Sequence, residues 1–142
     1  MRLKLRHLPT RITTGAFILN SGISKLSADE ETANRLHGFA AGTYPFLAKL
    51  KPGDFVKLLA ATEITIGTMV LAPVVPIGVA GAALTAFSGG LVGLYAKTPG
   101  MRKEGSPFPT PQGIPLAKDA WMLSIGLGFI IDEITDRLGG RD

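Results

Sequence analysis

Glu63 is the residue most able to do chemistry. It lies eight positions into an apolar stretch that opens at Phe55, about 12 Å from that end if the stretch is helical. A carboxylate at such depth is costly unless it is neutral, paired or facing a wet cavity. Thr62, Thr65 and Thr68 stand around it. Two roles suit it: an acid that carries a proton or contacts a ligand inside a helical bundle, or a structural partner in an interhelical hydrogen bond or ion pair.

Other polar residues can share its level. Asn20 falls at comparable depth if the first helix runs outward and the second inward. Lys25 caps the same end and can snorkel to the surface or turn toward Glu63. Tyr95 closes the third apolar segment on that side, and Asp119 opens the fourth. Asn20, Lys25, Glu63, Tyr95 and Asp119 are therefore candidates for one polar pocket in the outer half of the bundle. Helix direction alone carries this grouping; rotation about each axis is open. The competing reading places Lys25, Tyr95, Lys97, Lys118 and Trp121 at a membrane interface, where basic and aromatic residues collect. For Lys97, Lys118 and Trp121 that reading is preferred.

No complete catalytic site is legible, and catalytic residues stay unassigned. Ser21 and Ser24 precede Lys25 without forming a triad. The two histidines, His7 and His37, have no carboxylate neighbours at metal-ligand spacing, so no metal site is expected. There is no cysteine, which excludes a disulfide, a thiolate metal site or an iron–sulfur cluster of the chain's own. A phosphate-binding glycine loop and a dinucleotide fingerprint are both absent from the sequence.

The elements that must position these residues are helices. Residues 55–96 form an apolar stretch of 42 residues interrupted by few charges, Lys57 and Glu63 among them. As one helix it would be about 63 Å long, roughly twice the hydrocarbon thickness. Pro73 and Pro76 break it, since proline removes a donor and clashes with the preceding turn. The expected elements are a helical hairpin, about 55–72 and 77–96, with earlier and later membrane helices at about 8–26 and 116–134. The fourth needs polar residues at both ends to span. Ser27 to Asp54 reads as one or two short interfacial helices broken near Gly42–Pro45. Ser27 and Glu30 fit a capping box there. Lys51 to Asp54 reads as a turn. Residues 97–115, with five prolines, read as an exposed loop without regular structure. A cleaved signal peptide competes for the first segment, but no small-residue cleavage site follows it. A soluble all-α domain competes for the whole chain, but it would show a polar stripe on each helix.

Composition agrees with an all-α, polytopic membrane four-helix bundle, a single domain over 1–142. Charged residues are 18%, below the usual quarter of a soluble domain. The net charge of +4 sits mainly in the N-terminal arm and the connections, which suits anionic lipid headgroups better than nucleic acid. Gly89 with Gly93 forms a G-x-x-x-G pair, and Ala82, Ala86 and Gly90 form a second small stripe; both are candidate helix-packing or dimer faces. Arg2, Lys4, Arg6 and Arg11 before the first span favour cytoplasmic N- and C-termini. Against that, nine of the 15 basic residues fall in the parts this topology places outside.

The stretch Arg11–Leu26 resembles the first helix of the DoxX-like membrane proteins, which begins with Arg and ends Gly-x-x-Lys-Leu; here these are Arg11, Gly22, Lys25 and Leu26. Glu63, Ile64 and Gly67 resemble the opening of that family's second helix, and Lys118–Asp119 the opening of its fourth. The similarity covers nearly the whole chain through short motifs. It implies a four-helix bacterial inner-membrane protein, of a family associated with quinone-linked sulfur oxidation and oxidative-stress complexes. The missing cysteines, the Pro-rich loop and the polar first helix depart from the family pattern. The expected role is a subunit or anchor of a redox complex, with a soluble or membrane redox protein as partner. Quinone is the cofactor class the resemblance suggests; none is evident from the residues alone. A quinone-binding enzyme subunit, an oligomeric small-solute carrier or channel, and a purely structural membrane protein are the alternatives.

Overall fold

The computed structural model describes residues 4–140; Arg2 and Arg141 lie outside them. Among the described residues the chain is helical, with no strand and one isolated antiparallel bridge between Arg102 and Pro109. Helix α1 covers Leu8–Lys25, α2 Glu30–Thr43, α3 Pro52–Leu71, α4 Ile77–Lys97, α5 Ile114–Ala117 and α6 Asp119–Gly139. Short 3₁₀ turns at Leu5–His7 and Pro45–Lys49 precede α1 and α3.

Local chemistry explains most of the boundaries and corrects three expectations. Asp29, not Ser27, caps α2: its carboxylate accepts the Thr32 N–H at 2.8 Å. Ser27 turns back instead and donates to the Ser24 carbonyl at 3.3 Å. Residues 51–54 are not a separate turn. Pro52 is the first residue of α3, where its missing N–H costs nothing and its fixed φ suits the helix. The last helix starts at Asp119 and runs to Gly139, beyond the expected end at 134. Its charged exit stays helical, with Arg137 Nε on Glu133 at 2.9 Å one turn back. The Pro-rich connection is tied down more than expected. Tyr95 donates its hydroxyl to the Pro107 carbonyl, and Thr110 N–H reaches the Met101 carbonyl at 3.0 Å.

Packing is in two tight pairs, α1 against α3 and α4 against α6, while the hairpin partners α3 and α4 touch less extensively. Glycine sets both pairs. A Cβ on Gly67 would stand 2.7 Å from the Leu19 backbone nitrogen, and one on Gly22 would stand 2.9 Å from the Ala60 carbonyl oxygen. A Cβ on Gly126 would meet the Thr85 nitrogen at 2.9 Å, and one on Gly81 the Gly126 carbonyl at 2.8 Å. These contacts do not use the small residues singled out in α4. Ala82 and Ala86 are exposed, and a Cβ on Gly89 or Gly90 would meet nothing within 4 Å. Gly93 faces the Tyr44 side chain, whose hydroxyl donates to the Gly90 carbonyl at 2.6 Å.

The two pairs join through Ile18, Ile66, Val70, Ala80 and Leu84, and a second apolar cluster binds α2 to α3 through Ala33, Ala40, Phe55 and Val56. At the α3–α4 turn, Arg11 is buried at 3% exposure. Its Nε donates to the Val70 carbonyl at 2.7 Å, and one terminal nitrogen reaches Ala72 at 2.6 Å and Met69 at 3.1 Å. A helix end leaves carbonyls without partners and carries partial negative charge, so a guanidinium is the fitting cap. Nearby, Lys4 and Arg6 each meet Asp132 of α6 at 2.8 Å, and Lys4 also pairs with Asp136. The two ends of the described chain therefore share one end of the bundle.

Many large apolar side chains are exposed along the helices. Phe17, Trp121 and Leu138 are 74%, 70% and 75% exposed, and Ile12, Ile131 and Ile134 are exposed as well. Two helical stretches, Ile77–Lys97 and Ile114–Gly139, are long and apolar enough to cross a membrane.

Candidate ligand cavity

At the end of the bundle away from Arg11, the helix pairs part around a cavity of about 650 Å³. Its walls are the last turns of α1, the first half of α3, the last turns of α4 and the start of α6. The roof is α2, with Leu36, Phe39 and Ala40, and the Pro-rich connection, with Met101 and Gln112. Phe55, Leu59, Phe87, Leu91 and Leu94 make most of the lining apolar.

Three of the five predicted pocket residues line this space: Lys25, Glu63 and Asp119. Lys25 Nζ is 2.9 Å from Glu63 Oε2 and 2.6 Å from Ser21 Oγ. Glu63 is almost wholly enclosed, its side chain 8% exposed, while the Lys25 side chain keeps 20%. Gly22, one turn before Lys25, packs on the α3 backbone at Ala60 and Ile64, which brings Lys25 against Glu63. Both remaining residues sit elsewhere. Asn20 is exposed and lines a neighbouring recess between α1 and α2. Tyr95 is buried and spends its hydroxyl on Pro107. Rotation about α1 decides the first case: Ser21, one residue on, takes the inward place assigned to Asn20.

Ser21 and Gln112 were not foreseen. Ser21 is four residues before Lys25, so one helix face could have revealed it. Gln112 arrives from a connection that has no periodicity to read. The site offers one cation, two carboxylates, a hydroxyl and an amide against an apolar background. Such a surface recognises a mostly apolar molecule with one or two polar atoms. Among the described residues no three His, Asp or Glu side chains converge as metal ligands.

Comparison with family models, curated proteins and solved structures finds no match to this chain.

Proposed function

We propose that this chain is a multi-pass bacterial membrane protein of DoxX-like kind, serving a redox assembly by holding a lipophilic ring compound of quinone type. In this reading α1, α3, α4 and α6 cross the bilayer and α2 lies at its interface. The observation that carries it is the Lys25–Glu63 pair set, with Asp119, in the wall of a mostly apolar cavity.

Several features support the reading. The large exposed side chains suit hydrocarbon, since a water-soluble bundle would bury them. The residues that carry the family resemblance make specific contacts: Arg11 caps α3, Gly22 and Gly67 seat α1 on α3, and Lys25 meets Glu63. Lys4 and Arg6 lie at the same end as the exit of α6, and their charge favours a cytoplasmic position for both chain ends.

The residues present fit such a ring. Phe39, Phe55 and Phe87 give flat apolar walls, and about 650 Å³ lies within the usual range for small-molecule sites. Lys25 Nζ gives one proton each to Ser21 and Glu63 and keeps a third for a ligand oxygen. Glu63 Oε2 orients that ammonium. Asp119 and Gln112 stand as further polar contacts at the wall. When bound, a quinone supplies two-electron, two-proton redox chemistry; the electrons belong to a partner. The outward faces of α2 and of residues 97–115, which roof the cavity, are the surfaces nearest to it for such a partner.

The test is purification in mild detergent from native membranes, with mass spectrometry of extracted lipids and co-eluting proteins. The wild type should carry a quinone, and Lys25→Met should carry far less while remaining folded. If the extract holds no quinone and a short-chain analogue fails to raise the melting temperature of folded protein, the ligand reading is lost.

A further inference from the structure

Three charged side chains line the cavity, and their charges do not balance. Lys25 is paired with Glu63 at 2.9 Å and held a second time by Ser21 at 2.6 Å. Asp119 is the third, and among the described residues no hydrogen bond or ion pair engages its carboxylate. Its neighbour Lys118 is exposed and forms no part of the wall. The first turn of α6 tolerates a negative charge, because a helix N-terminus is partly positive, but it gives the Asp119 side chain no cap to make. With all three groups ionised, the cavity carries one negative charge in excess. Phenyl rings from four helices stand around that charge: Phe17 of α1, Phe39 of α2, Phe55 of α3 and Phe87 of α4. Phe17 is itself exposed, so the cavity is open on that side.

We propose that this cavity binds a lipophilic organic cation, an ammonium or phosphonium centre on an apolar body, with Asp119 as its counter-ion. A carboxylate among apolar side chains is costly without a partner, and a cation supplies one. Aromatic ring faces are negative, so the phenylalanines attract the same charge while they pack on the apolar body. The combination selects against other ions. An inorganic cation needs several oxygens in place of its water, and no three acidic or histidine side chains converge among the described residues. An organic anion would meet the excess negative charge. About 650 Å³ admits a body of several rings, and the open side beside Phe17 admits it without parting the helix pairs. The proposal goes beyond the quinone reading and does not rest on it. A quinone oxygen uses the Lys25 ammonium, whereas a cation uses Asp119.

For the test, the full chain is washed free of extractable lipid in detergent and placed in nanodiscs of zwitterionic phosphatidylcholine. It is titrated with radiolabelled tetraphenylphosphonium, and uptake by empty nanodiscs is subtracted. Saturable uptake is expected. Asp119→Asn keeps the size of the side chain and loses its charge, so it should weaken binding at least about tenfold. Asp119→Glu keeps the charge and should retain most of the affinity. Phe87→Leu should weaken binding about two- to fivefold, the share of one cation–π contact. Tetraphenylborate, an anion of nearly the same shape, should bind the wild type at least about tenfold more weakly than the phosphonium. Circular dichroism first confirms an unchanged helical spectrum for each variant. If Asp119→Asn does not fold, the comparison of the two ions on the wild type carries the test. The proposal fails if the wild type shows no saturable uptake, if Asp119→Asn binds as tightly as the wild type, or if the two ions bind alike. Uptake as expected by a protein whose native extract holds no quinone would sink the quinone reading alone. A quinone in that extract, with no uptake of the cation after washing, would sink this proposal alone.

Discussion

Arg11 shows how one side chain can organise a junction. Four carbonyls around the α3–α4 turn, from Met69, Val70, Ala72 and Val75, lie within 3.2 Å of its guanidinium nitrogens. Lysine keeps the charge but cannot span that spread of acceptors. Arg11→Lys should therefore cost about 2–4 kcal/mol, as hydrogen bonds from a charged donor are lost around a buried group. Thermal unfolding in detergent, followed by circular dichroism, checks this; an unchanged melting temperature would remove Arg11 from the junction. His7 makes a second prediction. Burial holds its imidazole below the ordinary value, outweighing the pull of Asp132, whose Oδ2 is 3.0 Å from Nε2. The unfolded chain then binds more protons near pH 6, so stability rises with pH across that range. The neutral ring contributes fully above about pH 6.5 and its contribution is lost as pH falls through the depressed folded value. Melting temperatures measured from pH 8 down to pH 5 should fall more steeply for the wild type than for His7→Gln.

At the scale of elements, glycine position matters more than glycine count. Gly67 and Gly89 both lie inside long helices, yet only Gly67 faces another backbone. Gly67→Ala must push α1 away from α3, because Leu19 nitrogen and Cα atoms lie under 3 Å from the new methyl. The expected cost is about 1–3 kcal/mol, the usual range for overpacking. Gly89→Ala meets nothing and should be neutral or gain up to about 1 kcal/mol in helix propensity. Parallel unfolding curves in detergent separate the two, and equal effects would contradict the pairing. Helix limits were largely legible. Pro73 and Pro76 mark the hairpin turn, and α4 begins at Ile77, where the proline pattern places it. Less legible were caps that depend on competition. Ser27 and Asp29 both suit an N-cap, and the carboxylate two residues later prevails because Ser27 lies in the turn that closes α1, its hydroxyl donating back to the Ser24 carbonyl.

For the whole molecule, the exposed apolar side chains along the helices predict where it resides. Trp121 is 70% exposed in the first turn of α6, at the expected membrane interface, and lipids brominated near the headgroup end of their acyl chains should quench its fluorescence. An aqueous quencher such as iodide should act weakly. The reverse pattern would deny α6 contact with hydrocarbon and undo the spanning arrangement proposed for it.

Sequence alone determined the helical segments, their main breaks, the absence of any thiol, and the placing of the Glu63 carboxylate within an apolar stretch. Those properties follow from composition, proline positions and local hydrophobic runs, which need no knowledge of distant contacts. Tertiary structure decided which helices pair and which way each one faces. Rotation about α1 is set where Gly15 and Gly22 meet the α3 backbone and Gly67 receives Leu19, and that rotation turns Ser21 inward and Asn20 out. The same contact sets Lys25 against Glu63. No pattern within either segment contains that information, because it resides in the fit between two surfaces more than thirty residues apart.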